Sequence, residues 1–291
     1  MKRLIFIFAL LLLFANSEGQ IIRAQPFARA QVVASSYCDE FQAVYDAMTT
    51  PPDAEHSALY NTFVESAIDH GYWSDLDWMS IFAVPTNDAS EALINWINPG
   101  TNNPALVGAT AFVAYQGFTG DGAATGITSS WSPNNDGVKW SINSASFGAY
   151  IRNDVQEDKF VIGATNDGNT ADNIQLRPRN TGNAINALIN SNGIGSVANA
   201  SSTGFYMVNR TASDATSIWR NGGSIDTDTD ASTEETTRDL GILFRQAATR
   251  AYWSTNQVSM VYFGGAMTDQ EKIDFNTDFE VLMDALGTGV E

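Results

Sequence analysis

The sequence predicts a mainly β protein: an antiparallel two-sheet jelly-roll sandwich with an N-terminal helical segment and a C-terminal helix. Three observations predict it. From about Leu106 the spacing of apolar residues changes from near 3.6 to 2 and stays there for some 150 residues. The strand-like runs are short and separated by Gly, Asn, Asp and Pro clusters, with no long helix between them to make parallel crossovers. The chain then closes on "MTDQEKIDFNTDFEVLMDALG", in which Thr268 and Glu271 make a helix-opening capping box.

Taken in order, Lys2 and Arg3 precede the apolar run Leu4–Ala15, which is too short to cross a bilayer and reads as a signal peptide over 1–19. Cleavage after Gly19 leaves Gln20 first; Ser17 is the other cut site. Residues 20–35 read as a linker. Residues 36–104 read as a helical segment. "YCDEFQAVYDAMTT" spaces Tyr37, Phe41, Val44, Tyr45 and Met48 helically, and Pro51 and Pro52 stop it. Ala54–His70 is a second predicted helix, with His70 at its end before Gly71. "YWSDLDWMSIFAV" and "DASEALINWIN" are two further short ones. Residues 105–291 form the predicted sandwich. Its strands are "TAFVAYQGF", "SASFGAYIR", "KFVIGAT", "NIQLRPR", "NAINALIN", "GFYMVNRT", "ATSIWR", "SIDTDT", "RDLGILFRQ" and "VSMVYFGG". In the final helix Ile273, Phe279, Leu282, Met283 and Leu286 are expected to share the buried face.

Composition narrows the function. The 291 residues are 44% hydrophobic and 16% charged, which is globular, and the net charge is −18. Phosphate backbones and anionic lipid would repel such a chain, so nucleic acid is not an expected partner. Nor is membrane insertion once the signal is removed. Cys38 is the only cysteine, so the fold must stand on its core without an intrachain disulfide. On its predicted helix Cys38 is expected to be a small buried residue.

"TGFYMVNRT…SIWRNGGSI", followed by "MVYFGGAMTDQEKIDFNTDFEVLMDALG", resembles the concanavalin A-like lectin/glucanase superfamily, in its laminin-G and pentraxin-like form found in bacterial and phage proteins. The upstream "VYDAMTT", "GYWSDLDWMSIFA", "INWINPG" and "FTGDG" look like a leader that accompanies this sandwich. The resemblance implies a fold that hosts lectins, hydrolases and structural modules, so function rests on sites. Glucanases of this type supply two carboxylates from same-face positions of one strand in a Glu-x-Asp-x-Glu pattern. None is present: Glu234 and Glu235 are adjacent and would face opposite ways, as would Glu157 and Asp158. The two histidines, His56 and His70, lie in the leader, which leaves the sandwich without an imidazole base or metal ligand. The expected protein is therefore not an enzyme. It is exported (secreted, periplasmic or on the cell surface) and binds glycan or a surface protein. A structural protein of a virion or surface assembly is one alternative, a polysaccharide hydrolase the other.

The candidate ligand residues are Trp219, Arg220 and Asn221 at the lip of an Asn-Gly hairpin, with Arg210 on the preceding strand. Trp131 and Trp140 are a second platform. Aromatic rings stack on sugar faces while Arg and Asn bond hydroxyl groups. Core packing is the plainer reading of Trp219. No cofactor is expected apart from a candidate calcium site at Asp226, Asp228 and Asp230, whose alternate spacing could bring carboxylates together. The plainer reading of the three is a charged edge strand that discourages aggregation.

Overall fold

The computed structural model describes residues 37–166, 173–193 and 195–291. The predicted signal peptide and linker lie outside the described residues. Ser36–Glu291 forms one unit.

Helices α1 (Asp39–Ala47) and α2 (Ala54–Asp69) come first. The strands follow in order: β1 Leu76–Ile81, β2 Ala105–Val107, β3 Ala111–Val113, β4 Gly117–Thr119 and β5 Gly126–Thr128. After the single turn α3 (Pro133–Asp136) come β6 Ala145–Ile151, β7 Ile162–Ala164, β8 Asn173–Arg177, β9 Ala184–Ser191 and β10 Gly195–Ala198. The rest are β11 Gly204–Ala212, β12 Ala215–Arg220, β13 Gly223–Asp228, β14 Gly241–Ile242 and β15 Gln257–Gly264, and the chain ends on α4 (Asp269–Ala285). An eight-stranded sheet runs β13-β12-β11-β6-β15-β4-β3, with β1 also paired to β15. A seven-stranded sheet runs β10-β9-β8-β7-β14-β5-β2. All strand pairs are antiparallel, as predicted.

The described residues build three layers. Alternation along β6 sends Phe147, Ala149 and Ile151 toward the seven-stranded sheet, while Gly148 and Tyr150 face the helices. Tyr150 and its cross-strand partner Phe205 both touch Phe279 of α4, and Phe205 and Tyr262 touch Phe275. Phe63 of α2 packs on both α4 phenylalanines. The eight-stranded sheet is thus covered on both faces, and its central strands are buried along nearly their whole length. Gly148 is the floor of this contact: a Cβ there would come 2.6 Å from the Tyr262 ring and closer still to the Tyr206 carbonyl oxygen.

Five expectations are corrected. "YWSDLDWMSIFAV" is a turn of 3₁₀ helix, Tyr72–Asp75, followed by strand β1. A strand buried on both faces reads as a continuous apolar run and loses its period-2 signature. The leader therefore contributes a strand to the sandwich. "DASEALINWIN" is not helical: asparagines within and beside it take backbone groups a helix would need. Asn87 Oδ1 accepts from Ala92 N at 3.1 Å, Asn103 Oδ1 from Asn95 N at 2.9 Å, and Asn95 Oδ1 from Ile97 N at 3.1 Å. "RDLGILFRQ" is strand only at Gly241–Ile242, since Leu243 sits at φ 68° and turns the chain. In α4, Ile273 is exposed, and the buried stripe is Lys272, Phe275, Asn276, Phe279, Leu282 and Met283. Cys38 is half-buried at the N-cap of α1 rather than within the helix.

Local expectations from short-range chemistry hold. Thr268 and Glu271 form both bonds of the capping box. The β12–β13 turn has Asn221 at φ 50° and Gly222 at φ 67°, the type I′ signature. Asn221 Oδ1 also accepts from Phe205 N at 3.0 Å. Asn221→Ala should therefore cost about 1–2 kcal/mol, from a left-handed alanine and a lost hydrogen bond. Asn221→Gly should cost less, because glycine removes only the bond. Urea denaturation of both variants checks the order; equal losses would show that the left-handed backbone is not the cause.

Candidate functional site

The hairpin residues singled out in the sequence part company in the fold. Trp219 and Arg220 point to opposite faces of the eight-stranded sheet. Trp219 faces the helices and is 7% exposed. Its Nε1 donates to Ser217 Oγ at 2.9 Å, and the buried Lys272 ammonium of α4 lies 4.2 Å from the ring centroid. One ring face is thus taken by a cation. Arg220 faces inward over the Tyr206 ring at 5.5 Å and donates to Thr203 O at 2.8 Å and Asn199 Oδ1 at 2.8 Å. Arg210, 1% exposed, crosses to the other sheet and donates to Ile189 O, Ser213 O and Asp230 O at 3.0, 2.8 and 3.1 Å. Trp131 stacks on Phe263 at 5.4 Å with Trp140 edge-on at 5.7 Å, and both are buried. Burial takes Trp131, Trp140, Trp219 and Arg210 into the interior, and the half-buried Arg220 is engaged by Thr203, Asn199 and the Tyr206 ring. Asp226, Asp228 and Asp230 do not converge: Asp228 Oδ1 accepts from the Asp230 backbone at 2.8 Å, and among the described residues no group of three acidic, His or Cys side chains is placed to hold a metal.

The arrangement that sequence reading missed is on the outer face of the seven-stranded sheet. Ile162, Ala164, Ile174, Leu176, Ala187 and Ile189 fill the core on its inner face. Register then puts Gly163, Gln175 and Leu188 side by side on the outer face, and Arg177 opposite Asn186. Gly163 allows the chain at Arg245 to cross the sheet closely, since a Cβ there would meet Arg245 Cα at 3.1 Å. Reciprocal backbone bonds between Arg245 and Ala251, at 2.8 and 3.2 Å, close a tight loop. Next to it Tyr252 is 40% exposed and held at φ 57°. A bulky residue in the left-handed region carries strain that the surroundings must impose, and such strain concentrates at functional sites.

Arginines and aromatic rings interleave on this face. Arg245 Cζ lies 4.6 Å from the Tyr252 centroid and 5.9 Å from that of Phe160; Arg177 Cζ lies 4.7 Å from Phe160. Phe160 and Tyr252 meet edge to face at 5.0 Å. Beyond them Arg250 covers Phe244 at 5.4 Å, and Phe244 stacks on Trp253 at 4.7 Å. The Nε atoms of Arg177 and Arg245 are buried and have no hydrogen-bond partner. Burial, first, pushes the Arg177 guanidinium below its ordinary value; Asp158 and Tyr252 oppose this, and the charge of Arg245 adds to it. Gln246 and Arg250 also line a polar cleft of about 290 Å³ with Thr128, Thr237, Arg238 and Asp239. Burial, and after it the charge of Asp136, raises the Asp239 carboxyl above the usual carboxylate range.

No protein-family model matches the chain, and no curated protein does. Solved structures do. A Trypanosoma rangeli sialidase, in complex with 2,3-difluoro-KDN, is similar with a TM-score of 0.50 at 11% identity over 81% of this chain. Domain 4 of AbnA, a GH43 extracellular arabinanase from Geobacillus stearothermophilus, in complex with arabinotriose, matches at 0.48 and 12% identity, over 69% of this chain and 99% of its own. The receptor binding domain of a botulinum neurotoxin C/D mosaic serotype matches at 0.48 and 9% identity, over 70% of this chain and 51% of its own. The sialidase likeness is one of fold. This chain spans 40% of the length of that sialidase.

Proposed function

We propose that this protein is an exported, non-catalytic β-sandwich of the concanavalin A-like kind that binds carbohydrate on the outer face of its seven-stranded sheet. The observation that carries the reading is the Tyr252 ring, exposed and fixed by its left-handed backbone, beside guanidinium groups whose buried N–H donors lack acceptors. A ring face takes the C–H side of a sugar, and fixed donors take its oxygens. The fold supports the reading to the extent that a sialidase contains a similar one. The sequence pattern over residues 1–19 supports export; among the described residues no helix is long and apolar enough to cross a membrane.

A shallow face supplies few contacts, so affinity per site is expected at about 10⁻³–10⁻⁵ M. Tyr252→Ala should weaken glycan binding about tenfold or more with an unchanged circular dichroism spectrum. A glycan-array screen of the mature protein followed by calorimetry checks this. Binding that is indifferent to Tyr252 would move the site elsewhere.

One observation favours a second reading, polysaccharide hydrolysis. Asp239, in the polar cleft, is a carboxyl that stays protonated to higher pH than usual, as a general acid must. The expected result is no release of reducing sugar. Release that is lost in Asp239→Asn would replace the binding reading with the catalytic one.

A further inference from the structure

We propose that Arg177 and Arg245 form an anion subsite, so that the glycan bound on this face carries an isolated carboxylate, as uronic and sialic acids do. The inference rests on the carbohydrate-binding reading of the same face and specifies its ligand.

Two guanidinium groups share one ring, Phe160, with Cζ atoms 4.7 and 5.9 Å from its centroid. Both are cations at any physiological pH, and they repel. The surroundings offer little compensation. The carboxylate nearest Arg177 is Asp158, at 3.8 Å, outside hydrogen-bond range. Asp158 is itself half-exposed and already accepts from the Thr181 hydroxyl at 2.6 Å. Among the described residues no carboxylate lies within ion-pair distance of Arg245. Each Nε–H is buried without an acceptor, a state that folded proteins avoid unless a water or a ligand completes it. Arg177 lies over Phe160, and Arg245 lies over Tyr252 and Phe160. The weakly compensated charge and the remaining N–H groups of the two guanidiniums suit the planar, two-oxygen geometry of a carboxylate.

The rest of the chain limits the kind of anion. With a net charge of −18, the protein repels a long, densely charged polymer such as a nucleic acid or a heavily sulfated chain. A saccharide with one acidic group at the arginine pair and neutral rings beside Tyr252 avoids that repulsion. Within a Debye length of about 8 Å at physiological salt, the local cations dominate what such a group feels.

The test uses the mature protein and four probes of one ring type: sodium glucuronate, its methyl ester, glucose 6-sulfate and glucose. Arginine Nε–H resonances are followed by NMR in the wild type and in Arg177→Gln and Arg245→Gln, with thermal melts confirming that the variants fold. Glucuronate is expected to shift the Arg177 and Arg245 signals, and to bind about tenfold more tightly than its ester or glucose. Either substitution should remove that preference, and Arg245→Lys should restore only part of it, because charge returns without the fork. A tighter response to the sulfate would keep the anion subsite but overturn the carboxylate assignment. Equal responses to glucuronate and glucose would sink the anion subsite and leave the glycan face standing. Silence of both resonances to all four probes overturns the subsite; the Tyr252→Ala result on array-selected glycans then decides the fate of the face independently.

Discussion

Phe279→Ala is expected to lower the unfolding free energy by about 3–5 kcal/mol, the range for a fully buried phenylalanine truncated in a core that cannot collapse around the gap. Phe279 has no exposed surface and touches Phe63 of α2, Tyr150 of β6 and Phe205 of β11, at centroid distances of 5.6, 5.1 and 6.0 Å. These neighbours belong to one helix and two central strands, which limits how far any of them can move to fill the space. The melting temperature should fall by roughly 10 °C, at a few degrees per kcal/mol for a domain of this size. Ile273→Ala on the same helix is the control: Ile273 is 40% exposed, and its loss should stay within about 1 kcal/mol. An unchanged melting curve for Phe279→Ala would mean that α4 is appended to the sandwich and is not part of its core.

Arg210→Ala is expected to cost about 3–5 kcal/mol, by analogy with removing one partner from a buried charged network. The guanidinium is the donor for carbonyl oxygens of Ile189, Ser213 and Asp230; its loss strands the buried Ile189 acceptor at about 1–3 kcal/mol and empties the space the side chain fills between the sheets. It is also the tie between β11 in one sheet and β9 in the other. Arg210→Met, which keeps much of the volume but none of the donors, separates the two contributions; most of the loss should persist. Urea denaturation measures both variants. If Arg210→Ala leaves the midpoint unchanged and abolishes glycan binding, Arg210 is a ligand residue and the burial argument is wrong.

Site residues were harder to read from the sequence than turns and caps, and Trp219 shows why. Alternation along "SIWR" requires Ile218 and Trp219 to face opposite ways, and that much is local. What covers the outward one is not local: it is Lys272, carried in on α4. The same limit hid the outer face of the seven-stranded sheet. Arg177, Arg245 and Tyr252 are unremarkable in their own segments, since "NIQLRPR" and "RDLGILFRQ" read as strands and Tyr252 falls between predicted strands. The one local hint is a glycine, Gly163, in an otherwise apolar strand, which marks a close backbone approach without naming what approaches.

By itself, the sequence determined the β-sandwich class with its C-terminal helix, the type I′ turn at Asn221 and Gly222, the capping box at Thr268 and Glu271, and the helix that Pro51 and Pro52 stop. Each depends on dihedral preferences and hydrogen bonds among residues a few positions apart, or on a period repeated many times along the chain. Only the tertiary structure decided that Leu76–Ile81 is a strand, that Trp131, Trp140, Trp219 and Arg210 serve the interior, and that arginines from two distant segments meet on one phenylalanine. Burial and convergence are set by which layer comes to lie over which face, and a residue's sequence neighbours carry no information about a layer supplied by another part of the chain.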